Sequence, residues 1–125
     1  AVLAILAEKR GASQLDAIDI DPWCVENSQE NITRNACSAI RVCLGDATKI
    51  PTGKYHTVIA NINRNILLAD MQVYKDGLTP GGSLFLSGFY TQDLPIIKQV
   101  CGTLGFTFVG NKERNNWVGA KFTLA

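Results

Sequence analysis

The stretch LDAIDIDPWCVENSQENITRN spans residues 15–35 and combines a short apolar run, acidic residues and a helix start. The apolar run at its beginning suits a strand that is buried on both faces. Asp21 and Pro22 then form a helix-opening pair, with Asp21 as the N-cap and Pro22 at the first helical position. The stretch therefore predicts a strand over residues 15–19, followed directly by a helix that runs to Asn35.

Asp19 lies at the carboxyl end of this predicted strand. A carboxylate at the end of a parallel strand faces the crevice where α/β proteins bind ligands, and it can accept hydrogen bonds from both hydroxyl groups of a ribose. A second interpretation is that Asp19 only caps the turn before the next helix. On this stretch alone, both interpretations remain open.

The rest of the chain alternates helices with short apolar strands. An opening helix closes at Gly11, which fits the left-handed residue that ends a helix. The other predicted elements are strands at 40–44, 55–62 and 83–87, a helix at 64–78, a turn at 79–82, and a helix from Leu94 to Leu104 with Thr91 as its N-cap. This alternation predicts an α/β fold with a mostly parallel sheet. The last two strands, 106–111 and 117–124, flank the polar segment KERNN and predict an antiparallel hairpin.

Polar residues follow three of the predicted strands at the same end. Asp19, Asp46 and Asn61 each come after an apolar run, so a parallel sheet would bring them to one edge. Asp46 could accept a hydrogen bond from an adenine amino group, or it could form an Asx turn. Asn61 could hold an incoming amine, or it could cap the helix that follows. Their shared position indicates a ligand site at this edge.

Four further residues each allow a functional and a structural interpretation. His56 is the single histidine, and its place at the start of a strand, away from the other polar residues, favours a structural role. Packing is the favoured role for Trp23, whereas Arg64 could contact a substrate carboxylate or lie in an ordinary first turn. Ser87 ends a strand at the same edge, but with no base in view it is a poor nucleophile.

The composition is that of an ordinary globular chain. Its 125 residues are 46% hydrophobic, which suits one domain, 1–125, with an apolar core. The balance of 12 basic and 11 acidic residues gives no bias towards direct nucleic-acid binding. The four cysteines form no CxxC pair, so we expect no metal site and a reduced, cytoplasmic environment. No apolar run approaches the ~20 residues of a membrane span.

Several short motifs follow one another along the chain in an order that is also found in a known protein family. IDIDP, GDA, VIANI, LTPGG and LFLSG, followed by a closing hairpin that carries Trp117, resemble the class I S-adenosylmethionine-dependent methyltransferases. The combination of ANI with LSG is most similar to the methyltransferases of ribosomal protein L-eleven. The resemblance implies a Rossmann-like sheet with strand order three-two-one-four-five-seven-six, in which strand seven is antiparallel.

The resemblance also implies a set of site residues. S-adenosyl-L-methionine is the expected cofactor, with Asp19 on its ribose, Ile20 against its adenine and Asp46 at the adenine amino group. Asn61 is the expected catalytic residue, which would orient the acceptor nitrogen. The expected reaction is methyl transfer to lysine or amino-terminal nitrogens of ribosomal protein L-eleven, the expected partner.

The chain departs from the family pattern at its start. By the resemblance, Ala1 corresponds to the residue just after the family's glycine-rich loop, so we expect that loop and the first strand to be lacking, and His56 stands where class I enzymes commonly carry Asp. We therefore expect an amino-terminally truncated domain that is inactive alone, in which the strands at Ala17 and Val58 do not pair directly. Two alternatives stay open: a small-molecule methyltransferase of the same fold, and a non-catalytic binding domain.

Overall fold

The computed structural model describes residues 2–125, which divide into two compact units. The first unit ends at Lys49 and the second begins at Ile50. One sheet has two strands and the other has four. The expectation of a single domain over 1–125 stays a prediction.

The first unit is built on two parallel strands. Its elements are α1 (Val2–Lys9), β1 (Leu15–Asp19), α2 (Pro22–Arg34) and β2 (Ile40–Leu44), followed by a 3-10 turn at Ala47–Lys49. β1 pairs with β2 so that Asp19 lies opposite Leu44 at the carboxyl ends of both strands. The predicted N-cap is confirmed, because the Asp21 carboxylate accepts a hydrogen bond of 2.9 Å from the Trp23 N–H, and Pro22 is the first helical residue.

A carboxylate joins the end of α1 to the start of β2. Glu8 accepts hydrogen bonds from the backbone N–H groups of Ala39 and Ser38, the latter at 3.2 Å. The bond from Ala39 holds the pKa of Glu8 below its ordinary value, because hydrogen bonds to a carboxylate favour its ionised form. Just beyond α1, Gly11 has the predicted left-handed conformation, with a φ of +106°.

The second unit is a four-stranded mixed sheet with two helices. Its elements are β3 (Tyr55–Asn61), α3 (Arg64–Gly77), β4 (Leu78–Tyr90), α4 (Leu94–Thr103), β5 (Phe106–Arg114) and β6 (Trp117–Leu124). The strand order is β3-β4-β6-β5, with β4 parallel to β3 and β6 antiparallel to both of its neighbours. The predicted antiparallel hairpin is therefore confirmed, but its predicted connection KERNN is too long, because β5 continues to Arg114. Asn115 and Asn116 connect its strands, and both have a left-handed φ, as a type I′ turn requires.

The order of strands within each sheet agrees with the order that the resemblance implied. β2-β1 corresponds to three-two, and β3-β4-β6-β5 corresponds to four-five-seven-six. In the part of the chain that the structure describes, β1 and β3 belong to different sheets and do not pair with each other, as expected.

Both helices of the second unit cover the same face of its sheet. The apolar stripe predicted on α3 is confirmed, because Leu67, Met71 and Tyr74 are all buried. On α4 the buried residues are Ile97 and Cys101, and the Cys101 Sγ lies 3.8 Å from the Met71 Sδ. The strands contribute Ala60, Leu84, Leu86, Phe89, Val118, Ala120 and Phe122 to this core. Burial raises the pKa of the Cys101 thiol to about 12, so this group is a structural hydrophobe rather than a reactive thiolate.

The prediction of a turn at 79–82 is wrong. These residues belong to β4 but have no partner on β3. Tyr55 lies opposite Leu78, whereas Thr57 lies opposite Ser83. The extra residues form an irregularity within a continuing strand, where Gly81 supplies a φ of +80°. The turn-forming sequence thus bends the strand without ending it.

The prediction of Thr91 as an N-cap is also wrong. Residues 91–93 form a 3-10 turn, and α4 begins only at Leu94. The Asp93 carboxylate accepts a hydrogen bond of 3.1 Å from the Tyr90 N–H and a second, also of 3.1 Å, from the guanidinium of Arg64. A partner far away in sequence therefore takes part in fixing this helix start.

Truncating the most buried residue of α3 tests the core of the second unit. We expect Leu67→Ala to lower the free energy of unfolding by ~2–5 kcal/mol, because this side chain is 0% exposed. The neighbouring Ile66 is 44% exposed, so Ile66→Ala is a matched control that should cost less than about 1 kcal/mol. Urea denaturation followed by circular dichroism measures both, and equal losses would contradict the described packing.

Candidate functional site

Asp19 and Asp46 lie at neighbouring strand ends in the first unit. The two strands are parallel, and the Gly45 N–H donates a hydrogen bond of 2.8 Å to the Asp19 carbonyl oxygen, so the segment carrying Asp46 begins beside Asp19. Two large apolar side chains next to these carboxylates are open to solvent: Ile20 is 73% exposed and Trp23 is 78% exposed. The packing role expected for Trp23 is therefore wrong. Carboxylates beside exposed apolar surface suit a ligand with hydroxyl groups and an aromatic ring.

Each of the two carboxylates also serves its own turn. The Asp19 Oδ1 accepts a hydrogen bond of 2.9 Å from the Asp21 N–H, and the Asp46 Oδ1 accepts from both the N–H and the hydroxyl of Thr48. The Thr48 hydroxyl is the main cause that lowers the pKa of Asp46. The turn-forming alternatives are thus present in the structure. An ionised carboxylate has two oxygens and about four acceptor sites, so these bonds leave capacity for a ligand.

The second unit has an open cleft of about 600 Å³ on the sheet face opposite its helices. Strand register aligns four residues across this face, in the order Asn61, Ser87, Gly119 and Lys112, from β3 through β4 and β6 to β5. All four line the cleft. Gly119 leaves its middle open, since a Cβ added there would meet no atom within 4 Å.

Asn61 projects from the end of β3 beside a glycine that approaches it closely. A Cβ on Gly88 would lie 2.8 Å from the Asn61 Oδ1, and Gly88 has a φ of +88°, so only glycine fits here without displacing the amide. The helix-cap alternative for Asn61 is wrong, because Asn63 is the N-cap of α3 and accepts the hydrogen bond from the Ile66 N–H at 3.1 Å. The exposed Asn61 amide faces the cleft.

Gly88 also changes which side chains face the cleft. The register of β4 against β6 shifts between Ser87 and Phe89, so that Phe89 lies opposite Val118 and Tyr90 lies opposite Trp117. This bulge reverses the alternation of side chains, because it adds one residue to β4. Phe89 is consequently buried in the core, and Tyr90 joins Trp117 on the open side.

Arg64 and His56 have structural positions. The Arg64 guanidinium forms an ion pair of 3.1 Å with the largely buried Asp93, which connects the start of α3 to the turn after β4. This contact favours an anchoring role over the alternative of binding a substrate carboxylate. His56 lies near the amino end of β3, whereas Asn61 lies at its carboxyl end, as predicted.

The structure brings together Asp19 and Asp46, whereas Asn61 belongs to the other unit. The convergence of all three on one edge stays a prediction. Sequence reasoning missed Gly119 and Lys112 as cleft residues, because only cross-strand register places them in one row with Asn61. Among residues 2–125, no group of three or more His, Cys, Asp or Glu side chains is arranged to hold a metal ion. No helix in this described part is long and apolar enough to cross a membrane.

Comparison with known proteins shows the family of the chain. A family model described as Ribosomal protein L11 methyltransferase (PrmA) matches residues 1–124. The chain belongs to this family. It is 50% identical over 124 residues to the ribosomal protein L11 methyltransferase of Phocaeicola vulgatus and 51% identical over 124 residues to that of Bacteroides fragilis. Each comparison covers 98% of this chain and 44% of the relative, so the chain spans less than half the length of these proteins.

Solved structures confirm the predicted fold class. The ribosomal protein L11 methylase of Lactobacillus delbrueckii subsp. bulgaricus matches with a TM-score of 0.91 and 27% identity, over 97% of this chain and 63% of that one. A methyltransferase from Pyrococcus furiosus matches with a TM-score of 0.82 and 20% identity, over 97% of this chain and 67% of that one. The fold is therefore similar to that of class I methyltransferases.

Removing the Thr48 hydroxyl tests how Asp46 is kept ionised. We expect Thr48→Val to raise the pKa of Asp46 towards its ordinary value, because the largest cause of its lowered pKa is lost while the backbone N–H bond remains. Titration of the carboxyl carbon by nuclear magnetic resonance measures the change. The pKa of Glu8 should not move, since the backbone of residues 38–39 sets it. An unchanged pKa of Asp46 would show that the Thr48 hydroxyl does not donate a hydrogen bond to this carboxylate in solution.

Proposed function

We propose that this chain forms the cofactor and acceptor sites of an S-adenosyl-L-methionine-dependent methyltransferase that modifies amine nitrogens of ribosomal protein L11. The observation that carries the proposal is the family match over residues 1–124. The protein would act in the cytoplasm, where a ribosomal protein is made. It would recognise L11 as a protein and make no direct contact with nucleic acid.

The residues of the first unit suit the nucleoside part of this cofactor. Asp19 and Asp46 offer carboxylate acceptors, which fit the ribose hydroxyls and the adenine amino group respectively. Ile20 offers exposed apolar surface for the flat face of the base. The Asp46 carboxylate is ionised at neutral pH and able to accept, and its lowered pKa extends this state to more acidic conditions. This combination of acceptors and apolar surface explains why polar and apolar groups are exposed together at this turn.

Asn61 is proposed as the catalytic residue that orients the acceptor. Its amide oxygen can accept a hydrogen bond from the N–H of a neutral amine, and this contact directs the nitrogen lone pair away from the amide. The cofactor would supply a methyl group bonded to a sulfonium, and its sulfur is a leaving group that needs no protonation. A strong base is unnecessary when the amine can lose its proton to water, which agrees with a site that has an amide and no histidine. Gly88 supports this role because its missing side chain gives the amide room.

Calorimetric titration of S-adenosyl-L-methionine tests the cofactor site. The ligand is added to this chain and, separately, to a version extended upstream to the length of its curated relatives. We expect binding by the extended form, and Asp19→Ala in that form should weaken it by about tenfold or more, since hydrogen bonds to a charged group are lost. Absence of binding by both forms would favour the non-catalytic alternative.

Substitution of Asn61 tests the assignment of the acceptor site. In the extended form, we expect Asn61→Ala to lower the rate of methyl transfer to L11 by roughly a hundredfold, because the amine loses its orientation, while cofactor affinity changes little. His56→Ala, near the other end of the same strand, is the control and should leave both quantities unchanged. Mass spectrometry of L11 measures transfer and identifies the modified nitrogens. Equal losses of transfer and cofactor affinity would contradict the assignment, and transfer to small amines only would favour the small-molecule alternative.

A further inference from the structure

Two aromatic side chains contact each other where β4 ends and β6 begins. Tyr90 and Trp117 are cross-strand partners, and their ring centroids are 4.3 Å apart with an angle of 32° between the planes. Neither ring is in the core: Tyr90 is 42% exposed and Trp117 is 48% exposed. Large exposed aromatic rings that contact each other present a preformed surface, because each restricts the rotamers of the other. The pair therefore exists before any ligand arrives.

The Trp117 side chain is also part of the cleft that contains Asn61. Along β6, Trp117 and Gly119 point to the same side of the sheet, because side chains alternate along a strand. Gly119 leaves open space between the indole and the row that carries Asn61. A slender chain with an amine at its end could lie over Gly119, beside the indole, and reach the Asn61 amide.

We propose that this surface, formed by Trp117, Tyr90 and Gly119, binds the methylated ammonium group of the acceptor. The idea rests on the proposed function, since it names the group that the reaction leaves beside Asn61. Each methyl added to an amine removes an N–H donor, and a trimethylated nitrogen has none left to donate to Asn61. A methylated cation has a large, weakly hydrated surface, which is attracted to the negative face of an indole. The cation–π contact with Trp117 thereby binds a nitrogen that can no longer donate a hydrogen bond to Asn61.

The other side chains at the cleft do not supply this attraction. Lys112 and Arg114 line it and repel a cation, and Glu113, its one acidic lining residue in the described part of the chain, accepts a hydrogen bond of 3.2 Å from the Asn111 amide. Cross-strand register places Arg114 opposite Trp117. The charges near the surface are therefore mixed. A preference for a methylated cation must come from the aromatic face rather than from net charge.

Choline and its neutral isostere 3,3-dimethylbutan-1-ol separate cation binding from simple apolar contact. The experiment uses the chain with Trp23→Phe, which leaves Trp117 as its only tryptophan. We expect choline to change the Trp117 fluorescence saturably at constant ionic strength, with an affinity roughly two- to thirtyfold higher than that of the alcohol. Equal affinities, or no saturable change, would overturn the inference.

Three further variants locate the binding surface. Gly119→Val fills the open middle of the cleft and should abolish the choline response, although a Cβ there meets no neighbour and circular dichroism should show an intact fold. Tyr90→Leu should weaken choline binding severalfold, whereas Tyr90→Phe, the matched control that keeps the ring, should not. A choline response unaffected by Gly119→Val would overturn the inference. Choline binding without cofactor binding in the extended form would remove only the proposed function, and cofactor binding with methyl transfer but no choline binding would remove only this inference.

Discussion

The register between β4 and β6 is the constraint on which the second unit depends. One extra residue at Gly88 shifts this register, and the shift decides which side chains enter the core. Without it, Phe89 would face the open side together with Ser87, because alternate residues share a face. With it, Phe89 fills the core and Tyr90 meets Trp117. The same glycine gives Asn61 its room, so the core and the cleft are fixed by one backbone conformation.

Local signals in the sequence were sufficient for most of the fold. Apolar runs located the strands, and the Asp21-Pro22 pair and the closing hairpin were found where predicted. The errors arose where residues distant in the sequence determine the local structure. TPGG has a turn-forming composition, but its pairing with β3 keeps it inside β4. Thr91 is a good cap in isolation, yet the carboxylate of Asp93, held by Arg64, sets where α4 begins.

The residues of the candidate site likewise fall into those that the local sequence predicts and those that depend on distant pairing. Asp19, Asp46 and Asn61 could be predicted as site residues because a polar residue at the end of a parallel strand needs only the strand pattern to be recognised. Gly119, Lys112 and the aromatic pair could not be identified in that way, since their positions relative to Asn61 depend on the parallel pairing of β3 with β4 and on the antiparallel pairings beyond β4. Cross-strand register depends on the hydrophobic pattern of both strands and on bulges and turns, such as the bulge at Gly88, that the strand pattern alone does not reveal.

The charged end of β5 has a consequence for solubility. In the order β3-β4-β6-β5, β5 lies at one edge of the sheet, and an edge strand can pair with the edge of another molecule. Its last residues, Lys112, Glu113 and Arg114, are all exposed and charged. Two approaching copies of this edge would have to desolvate these charges and bring like charges together. The residues that form the rim of the cleft thus also protect the sheet against edge-to-edge aggregation.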